Sequence, residues 1–160
     1  MVVILVTGMS GTGKSTVLAE LARRGLRAVD ADDGYSFESW NEVEGRPEQL
    51  WHPEEVARLL DEHEGPEPFF LGGCASNQGL FSSRCAAVVL LTAPVDVLVR
   101  RLTTRTTNPF GRSDADRARI LADLAVVEPL LRNGADAEID TRAPVGAVAD
   151  RLVEIARAAG

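Results

Sequence analysis

Residues 8–16, GMSGTGKST, combine glycine, lysine and hydroxyl side chains at a spacing suited to phosphate binding. Gly8, Gly13, Lys14 and Ser15 satisfy the pattern G-x-x-x-x-G-K-S/T. The glycines let the backbone wrap around a phosphate, the lysine reaches the β and γ oxygens, and the hydroxyl lies where Mg²⁺ bridges them. We therefore predict a site for ATP with Mg²⁺, formed by Gly8, Ser10, Gly11, Thr12, Gly13, Lys14, Ser15 and Thr16.

Lysine usage helps to exclude other nucleotide-binding classes. The chain has sixteen arginines and one lysine, and that lysine is Lys14. A guanine-binding N-K-x-D motif would need a second lysine, so a GTPase switch is excluded. An L-S-G-G-Q-like signature is absent as well, which argues against a transporter-type ATPase.

The composition indicates one globular domain, residues 1–160, with 45% hydrophobic and 26% charged residues. A net charge of -7 would repel nucleic acids and acidic membranes, so neither partner is expected. The opening residues MVVILV lack a basic leader, and no apolar run is long enough to span a membrane, so we expect a cytoplasmic protein. Cys74 and Cys85 lack disulfide or zinc spacing and are predicted to be reduced thiols.

Apolar runs alternate with helical patterns along the chain. We predict strands at residues 2–6, 26–29, 68–73, 86–93 and 137–140, and helices at residues 14–24, 53–63, 94–105, 113–131 and 144–159. This alternation is typical of an α/β fold of three layers, with a five-stranded parallel sheet and helices on both faces. Residues 34–64 form an acceptor-side insert, irregular before its helix.

Three carboxylates follow the second predicted strand. Asp30, Asp32 and Asp33 lie at the carboxyl edge of the sheet, where ligands bind in open α/β folds. One could hold Mg²⁺ through water, and another could accept the proton of an acceptor hydroxyl. The alternative for each is a carboxylate that caps a helix or a turn.

Polar and small residues after the third strand form a candidate acceptor site. Gly72 and Gly73 would let backbone N–H groups approach a substrate, and the amides of Asn77 and Gln78 suit a polyol, sugar or nucleoside. The alternative for Asn77 and Gln78 is an ordinary polar loop.

Aromatic residues in the insert have two interpretations. Phe37, Trp40 and Trp51 could stack on a substrate ring or anchor the insert on the sheet. His52, directly before Pro53, is expected to begin a helix rather than to act as a base.

Arginines cluster in residues 100–112, RRLTTRTTNPFGR. Arg101 and Arg105 are four residues apart on one helix face, and Arg112 follows a turn-rich flap, which we predict to be a lid at residues 105–113. Such arginines neutralise charge on a transferred phosphoryl group, and a lid excludes water. The alternative is a solvated basic helix face.

GMSGTGKST, DADD after the second strand, GG after the third and the arginine-rich lid together resemble the small P-loop kinases of the nucleoside monophosphate kinase and shikimate kinase group. The resemblance covers most of the chain. It implies the sheet order 2-3-1-4-5, Arg101 stacked over the ATP base, Arg105 and Arg112 on phosphates, and Asp32 as the main acceptor or metal residue.

Two departures from that group concern the acceptor. Residues 34–64 contain only Arg46 and Arg58 as arginines for a phosphorylated acceptor, and GGCASNQGLF lacks the third glycine usual in shikimate kinases. The sequence therefore does not assign shikimate as the acceptor.

These observations predict an ATP- and Mg²⁺-dependent kinase that transfers the γ-phosphate to a hydroxyl or phosphate of a small molecule. Lys14, Asp32, Arg101, Arg105 and Arg112 would be catalytic, Ser15 and Asp32 would serve the metal, and Asp32, Asp33, Gly72, Gly73 and Asn77 would bind the acceptor. The alternatives are a nucleoside monophosphate kinase proper and a regulatory ATP-binding module. We expect a monomer or a homodimer.

The lid interpretation predicts a kinetic asymmetry for Arg105→Ala. Turnover should fall far more than ATP affinity, because the arginine would act mainly in the transition state. Steady-state kinetics beside equilibrium ATP binding measures both, and unchanged turnover would restore the solvated-face alternative.

Overall fold

The computed structural model describes residues 2–104 and 114–160, so the predicted lid residues Arg105 and Arg112 lie outside the described residues. Within these ranges, the five predicted strands and the five predicted helices are present, and two further strands follow β2. The strands are β1 (Val3–Thr7), β2 (Arg27–Asp30), β3 (Ser36–Asn41), β4 (Arg46–Trp51), β5 (Phe69–Gly72), β6 (Ala87–Thr92) and β7 (Ala137–Asp140). The helices are α1 (Lys14–Arg23), α2 (Pro53–Asp61), α3 (Val95–Thr104), α4 (Asp114–Asn133) and α5 (Val145–Ala159), with a 3₁₀ helix at Gln78–Arg84.

Five strands form a parallel sheet in the order β2-β5-β1-β6-β7. Counted within this sheet alone, the order is 2-3-1-4-5, so the predicted fold class and strand order are confirmed. The central strand β1 is buried along its whole length. This burial explains why its sequence is a continuous apolar run rather than an alternating one.

Two apolar layers cover the faces of the sheet. On one face, α1 and α5 pack with Leu18, Leu21, Val148 and Leu152 against the strands. On the other face, α2 and the 3₁₀ helix contribute Val56, Leu60 and Phe81. Trp51, at the end of β4, is fully buried in this second layer and ties the chain between β2 and α2 to the sheet.

The prediction of an irregular segment before α2 is wrong, because β3 and β4 form an antiparallel hairpin. Its turn is stabilised by the side chain of Asn41, whose Oδ1 accepts hydrogen bonds from the backbone N–H groups of Val43 and Glu44, both at 3.0 Å. The strands carry mostly polar and charged residues and are largely solvent-facing. They therefore lack the apolar alternation by which strands are recognised in a sequence.

Gly72 allows α1 to lie close to the sheet. A Cβ atom at this position would lie 2.3 Å from Cδ1 of Leu18, which is itself buried. The glycine at the end of β5 is thus explained by helix packing.

No helix within the described residues is both long and apolar enough to cross a membrane.

Replacing Gly72 by alanine should destabilise the fold by about 1–3 kcal/mol, because the new methyl group overpacks the interface with Leu18. Gly79→Ala is the matched control, since a Cβ atom there meets nothing within 4 Å. Denaturant unfolding of both variants checks the difference. Equal stability of the two variants would contradict this account of Gly72.

Candidate active site

The turn between β1 and α1 has the backbone of a phosphate cradle. Gly11 and Gly13 have φ angles of 86° and 96°, in the left-handed region that favours glycine. At Gly8, a Cβ atom would lie 2.6 Å from the carbonyl oxygen of Leu91, so only glycine fits. Thr12 is buried and closes the loop by donating its hydroxyl to the Met9 carbonyl at 2.7 Å.

The charged and hydroxyl groups of the cradle project from the start of α1. Nζ of Lys14 donates to the carbonyl oxygen of Gly8 and, at 3.1 Å, to that of Met9. The hydroxyl of Ser15 donates to Oδ2 of Asp30 at 3.1 Å. The carboxylate beside Ser15 is therefore Asp30 and not Asp32, the residue that the resemblance favours for the metal. For Asp30, the only sequence signal of a position beside Ser15 was its place at the end of β2.

Asp32 is half-buried between Trp51, at the end of β4, and Cys74, in the loop after β5. Its Oδ1 accepts from Nε1 of Trp51 at 3.0 Å, and the backbone N–H of Cys74 donates to Oδ2 at 2.9 Å and to Oδ1 at 3.1 Å. Burial raises the pKa of Asp32, although the hydrogen bonds from Trp51 and Cys74 and the charge of Lys14 oppose this shift. Asp30 adds to the rise through charge repulsion. The carboxylate is thus held in a fixed orientation.

Gly73 permits this arrangement. A Cβ atom there would lie 2.6 Å from Oδ1 of Asp32 and 2.8 Å from Cζ2 of Trp51, and the φ angle of 143° also disfavours a side chain. The Gly73 N–H donates to the Val6 carbonyl at 3.1 Å, so it is used within the fold. The proposed role of Gly72 and Gly73 in presenting N–H groups to a substrate gains no support from these contacts, which explain both glycines by packing.

The amide side chains after β5 bond to the protein itself. Asn77 accepts from the Trp51 N–H at 2.9 Å and donates to the Trp51 carbonyl at 3.0 Å. Gln78 accepts from the Ala75 N–H at 3.0 Å and lies 3.2 Å from the Thr7 hydroxyl. These contacts favour the polar-loop alternative for both residues. The carboxylate of Asp33 is exposed in the turn after β2, which similarly favours a turn role.

The anchoring interpretation holds for one aromatic residue of the insert, and stacking on a substrate stays a prediction for the other two. Trp51 is fully buried and serves as the anchor. Trp40 is 61% exposed and Phe37 is 40% exposed, so neither shares that role. His52 precedes the first turn of α2, as predicted, and its ring lies 4.6 Å from that of Phe37.

Cys74 and Cys85 are free thiols, as predicted. Burial raises the pKa of Cys74 and raises that of Cys85 to about 11, which keeps both thiols protonated near neutral pH.

A cavity of about 480 Å³ brings Lys14 and Asp32 together. Its outer wall comes from the hairpin, which lies within the predicted acceptor-side insert, and from α4, which sequence reasoning did not associate with the site. The remaining lining residues are Met9, Ser10, Arg46, Pro47, Glu48, Gln49, Cys74, Ser76, Arg119, Asp123 and Val127. We call this space the acceptor cavity.

A separate cavity of about 320 Å³ lies on the other side of the P-loop, between Gly13, Thr16 and the loop after β7. Arg101 forms its wall. The guanidinium donates to the Gly11 carbonyl at 3.0 Å, to the Thr141 hydroxyl at 2.9 Å and to the Thr141 carbonyl at 2.7 Å. Arg101 therefore connects α3, the P-loop and the β7–α5 loop. No sequence motif had indicated Thr141.

Comparison with known proteins points to one group. Residues 4–122 match the family described as an AAA domain. The chain is 34% identical to shikimate kinase from Halorhodospira halophila over 94% of this chain and 91% of the relative, and 31% identical to that of Geobacter metallireducens over 95% and 88%.

Solved structures agree at the level of the fold. Shikimate kinase from Acinetobacter baumannii in complex with shikimate superposes with a TM-score of 0.64 and 22% identity, covering 99% of this chain and 94% of that one. A gluconokinase from Sinorhizobium meliloti superposes with a TM-score of 0.56 and 19% identity, covering 99% and 93%.

Removal of the Arg101 guanidinium should weaken ATP binding on the order of 10- to 100-fold, because three charged hydrogen bonds that position the P-loop and the β7–α5 loop are lost. Arg100→Ala is the matched control, since Arg100 is exposed and its ion pair is with Asp96 on the same helix. Calorimetric titration with ATP measures both variants. Equal affinities would show that Arg101 does not shape the nucleotide site.

Proposed function

The chain belongs to the family described as an AAA domain and to the shikimate kinase family, and it is an ATP-dependent kinase of a small-molecule acceptor. From this premise we propose a role for each side of the P-loop. The cavity beside Arg101 takes the base of ATP, and the acceptor cavity takes the molecule to be phosphorylated. The observation that carries the proposal is that Lys14 and Asp32, from different elements, line one cavity.

Ser15 and Asp30 fit the metal side of a nucleotide site. Their oxygens lie 3.1 Å apart at the mouth of the cradle, and hydroxyl and carboxylate oxygens are ligands that Mg²⁺ accepts. The described part of the chain contains no cluster of three or more His, Cys, Asp or Glu residues suited to a metal. Mg²⁺ prefers octahedral oxygen coordination, so ATP phosphates and water would complete its ligand set. Bound Mg²⁺ would neutralise charge on the β- and γ-phosphates.

Asp32 is the proposed base. An acceptor hydroxyl oxygen bonds to the γ-phosphorus, the bond to the β,γ-bridging oxygen breaks, and that electron pair leaves with ADP. The hydroxyl proton passes to the Asp32 carboxylate. Among the described residues, Oδ2 of Asp32 accepts one hydrogen bond, from the Cys74 N–H, which leaves it capacity for the acceptor.

Lys14 supports the transfer directly, whereas Arg101 supports it by positioning the P-loop and the β7–α5 loop. The Lys14 ammonium lies at the edge of the acceptor cavity, where it can stabilise the negative charge on the transferred phosphoryl group. Arg105 and Arg112 stay predictions as lid residues, as do the cytoplasmic location and the choice between monomer and homodimer.

The nucleoside monophosphate kinase alternative requires arginines for a phosphorylated acceptor. Arg46 and Arg119 line the acceptor cavity, but Arg46 is bonded to Glu44 at 2.6 Å, Arg119 has an interaction of its own, and Arg58 is not among the lining residues. These contacts favour a hydroxyl acceptor over a nucleoside monophosphate.

The test is ADP production from Mg²⁺·ATP with a panel of polyols, sugars, nucleosides and nucleoside monophosphates, beside an acceptor-free control. We expect one hydroxyl class to stimulate ADP release, and chelation of Mg²⁺ to abolish it. Stimulation by monophosphates alone would establish the alternative kinase. Slow hydrolysis that no acceptor stimulates would favour the regulatory module.

Replacement of Asp32 by Asn should lower kcat by about 10²–10⁴-fold, because the amide cannot take the hydroxyl proton. ATP affinity should stay within about threefold, since Asp32 is on the acceptor side. Asp33→Asn, in the exposed neighbouring position, should keep kcat within about threefold. Steady-state kinetics with the best acceptor of the panel distinguishes the two variants. Equal losses of kcat in both would contradict the proposed role of Asp32.

A further inference from the structure

A second cavity continues the acceptor cavity away from Lys14. It has a volume of about 680 Å³ and shares six lining residues with the acceptor cavity: Arg46, Glu48, Gln49, Cys74, Ser76 and Val127. Because the two spaces share these walls, they form one cleft. Its inner end holds Lys14 and Asp32, and its outer end lies between the sheet, the 3₁₀ helix and α4.

Hydrocarbon surface dominates the outer end. Leu5 and Val88 of the sheet form its floor, and Val127, Leu130 and Leu131 of α4 form its wall. Leu130 is 69% exposed, although its neighbours on the same wall are half-buried. Apolar surface of this kind is stabilised when a ligand covers it.

Two polar side chains at the outer end, Gln78 and Ser82, bond to the protein. Gln78 pairs with Ala75 and Thr7, as described above, and the Ser82 hydroxyl donates to the Gly79 carbonyl at 2.8 Å. Recognition of a polar ligand at this end would have to break such bonds, whereas a hydrocarbon ligand leaves them intact.

Charges between the two ends are compensated. Arg46 bonds to Glu44 at 2.6 Å and lies 3.9 Å from Asp123 across the cleft, and Glu48 accepts from Asn41 at 3.2 Å. Arg119 is engaged in an interaction as well. A carboxylate or phosphate on the acceptor would compete with Glu44 for Arg46 and would be repelled by Glu48 and Asp123, which line the same cleft.

We propose that the acceptor is an uncharged alcohol with a hydrocarbon part, whose hydroxyl lies at the inner end beside Asp32 and whose hydrocarbon lies at the outer end against α4. This inference rests on the proposed function and adds the substrate class. The transfer step is the one given above, in which the acceptor oxygen gains the γ-phosphoryl group, ADP leaves and Asp32 takes the proton.

Calorimetric titration tests the proposal without requiring turnover. The probes are 1,2-butanediol, 1,2-hexanediol and 1,2-octanediol, titrated below their self-association concentrations into the full chain with Mg²⁺ and a non-hydrolysable ATP analogue. Each probe is compared with a dihydroxy carboxylate of the same length. We expect affinity to rise by up to about fourfold per methylene group, and each diol to bind more tightly than its carboxylate.

Adjacent valines on α4 provide matched variants. Val127 lines both cavities, whereas Val126 is 56% exposed and lines neither. Val127→Asp should abolish the dependence on chain length, and Val126→Asp should preserve it. Melting temperature and affinity for the ATP analogue, at a separate cavity, verify that both variants are folded.

Flat affinity across the diols, or tighter binding of the carboxylates, would overturn the proposal. Equal effects of the two valine variants would do so too. Acceptor-dependent ADP release measured in parallel separates the two claims. If an anionic acceptor is phosphorylated, the kinase stands and the substrate class is wrong; if diols bind with the expected slope without release of ADP, the cleft stands and the transfer role fails.

Discussion

The hydrogen bonds to the Asp32 carboxylate connect the parts of the acceptor side. Trp51 reaches it from the end of the hairpin, and Cys74 reaches it from the loop after β5. A side chain at Gly73 would clash with both Asp32 and Trp51 and so prevent their contact in this geometry. Since Trp51 is also buried in the core, the same residue anchors the hairpin and orients the carboxylate. Loss of the Trp51 side chain would therefore disturb both the packing of the core and the orientation of the Asp32 carboxylate.

The nucleotide side was predictable because its chemistry depends on local sequence. A strand, a glycine-rich turn and a helix follow one another within residues 3–23, and the backbone conformation of the turn needs glycine at specific positions. Arg101 could be placed at the site from its helix position, but its partner Thr141 could not. That contact joins residues 40 positions apart, and a threonine after a strand carries no distinguishing pattern.

The acceptor side was less predictable because its residues are used in ways that residue type does not reveal. Asn77 and Gln78 had the chemistry of a sugar-binding loop, yet both bond to the protein's own backbone and side chains. Asp30 and Asp32 are the same residue type two positions apart, but Asp30 contacts Ser15 and Asp32 contacts Trp51. The hairpin has polar strands without apolar alternation, and α4 adds Val127 and Asp123 from far along the chain. Such placement follows from tertiary packing.

The match to the AAA-domain family covers the phosphate cradle, whereas the acceptor wall of this chain is built from side chains that have partners within the protein. Arg46, the insert arginine that lines the cleft, is neutralised by carboxylates, and the space beyond it is apolar. Fold similarity to shikimate kinase and gluconokinase structures, at 22% and 19% identity, does not determine which hydroxyl enters this cleft. The geometry around Asp32 is compatible with hydroxyl phosphorylation, and the residues that line the cleft determine which acceptors can approach this carboxylate.

The most direct test of the account is to follow the fate of the γ-phosphate by phosphorus NMR during turnover with Mg²⁺·ATP and an acceptor. The account predicts a phosphomonoester of the acceptor hydroxyl, formed in step with ADP, and its loss in the Asp32→Asn variant. Appearance of inorganic phosphate alone, at a rate independent of acceptor and of Asp32, would contradict the assignment of the cavity between Lys14 and Asp32 as the site of transfer.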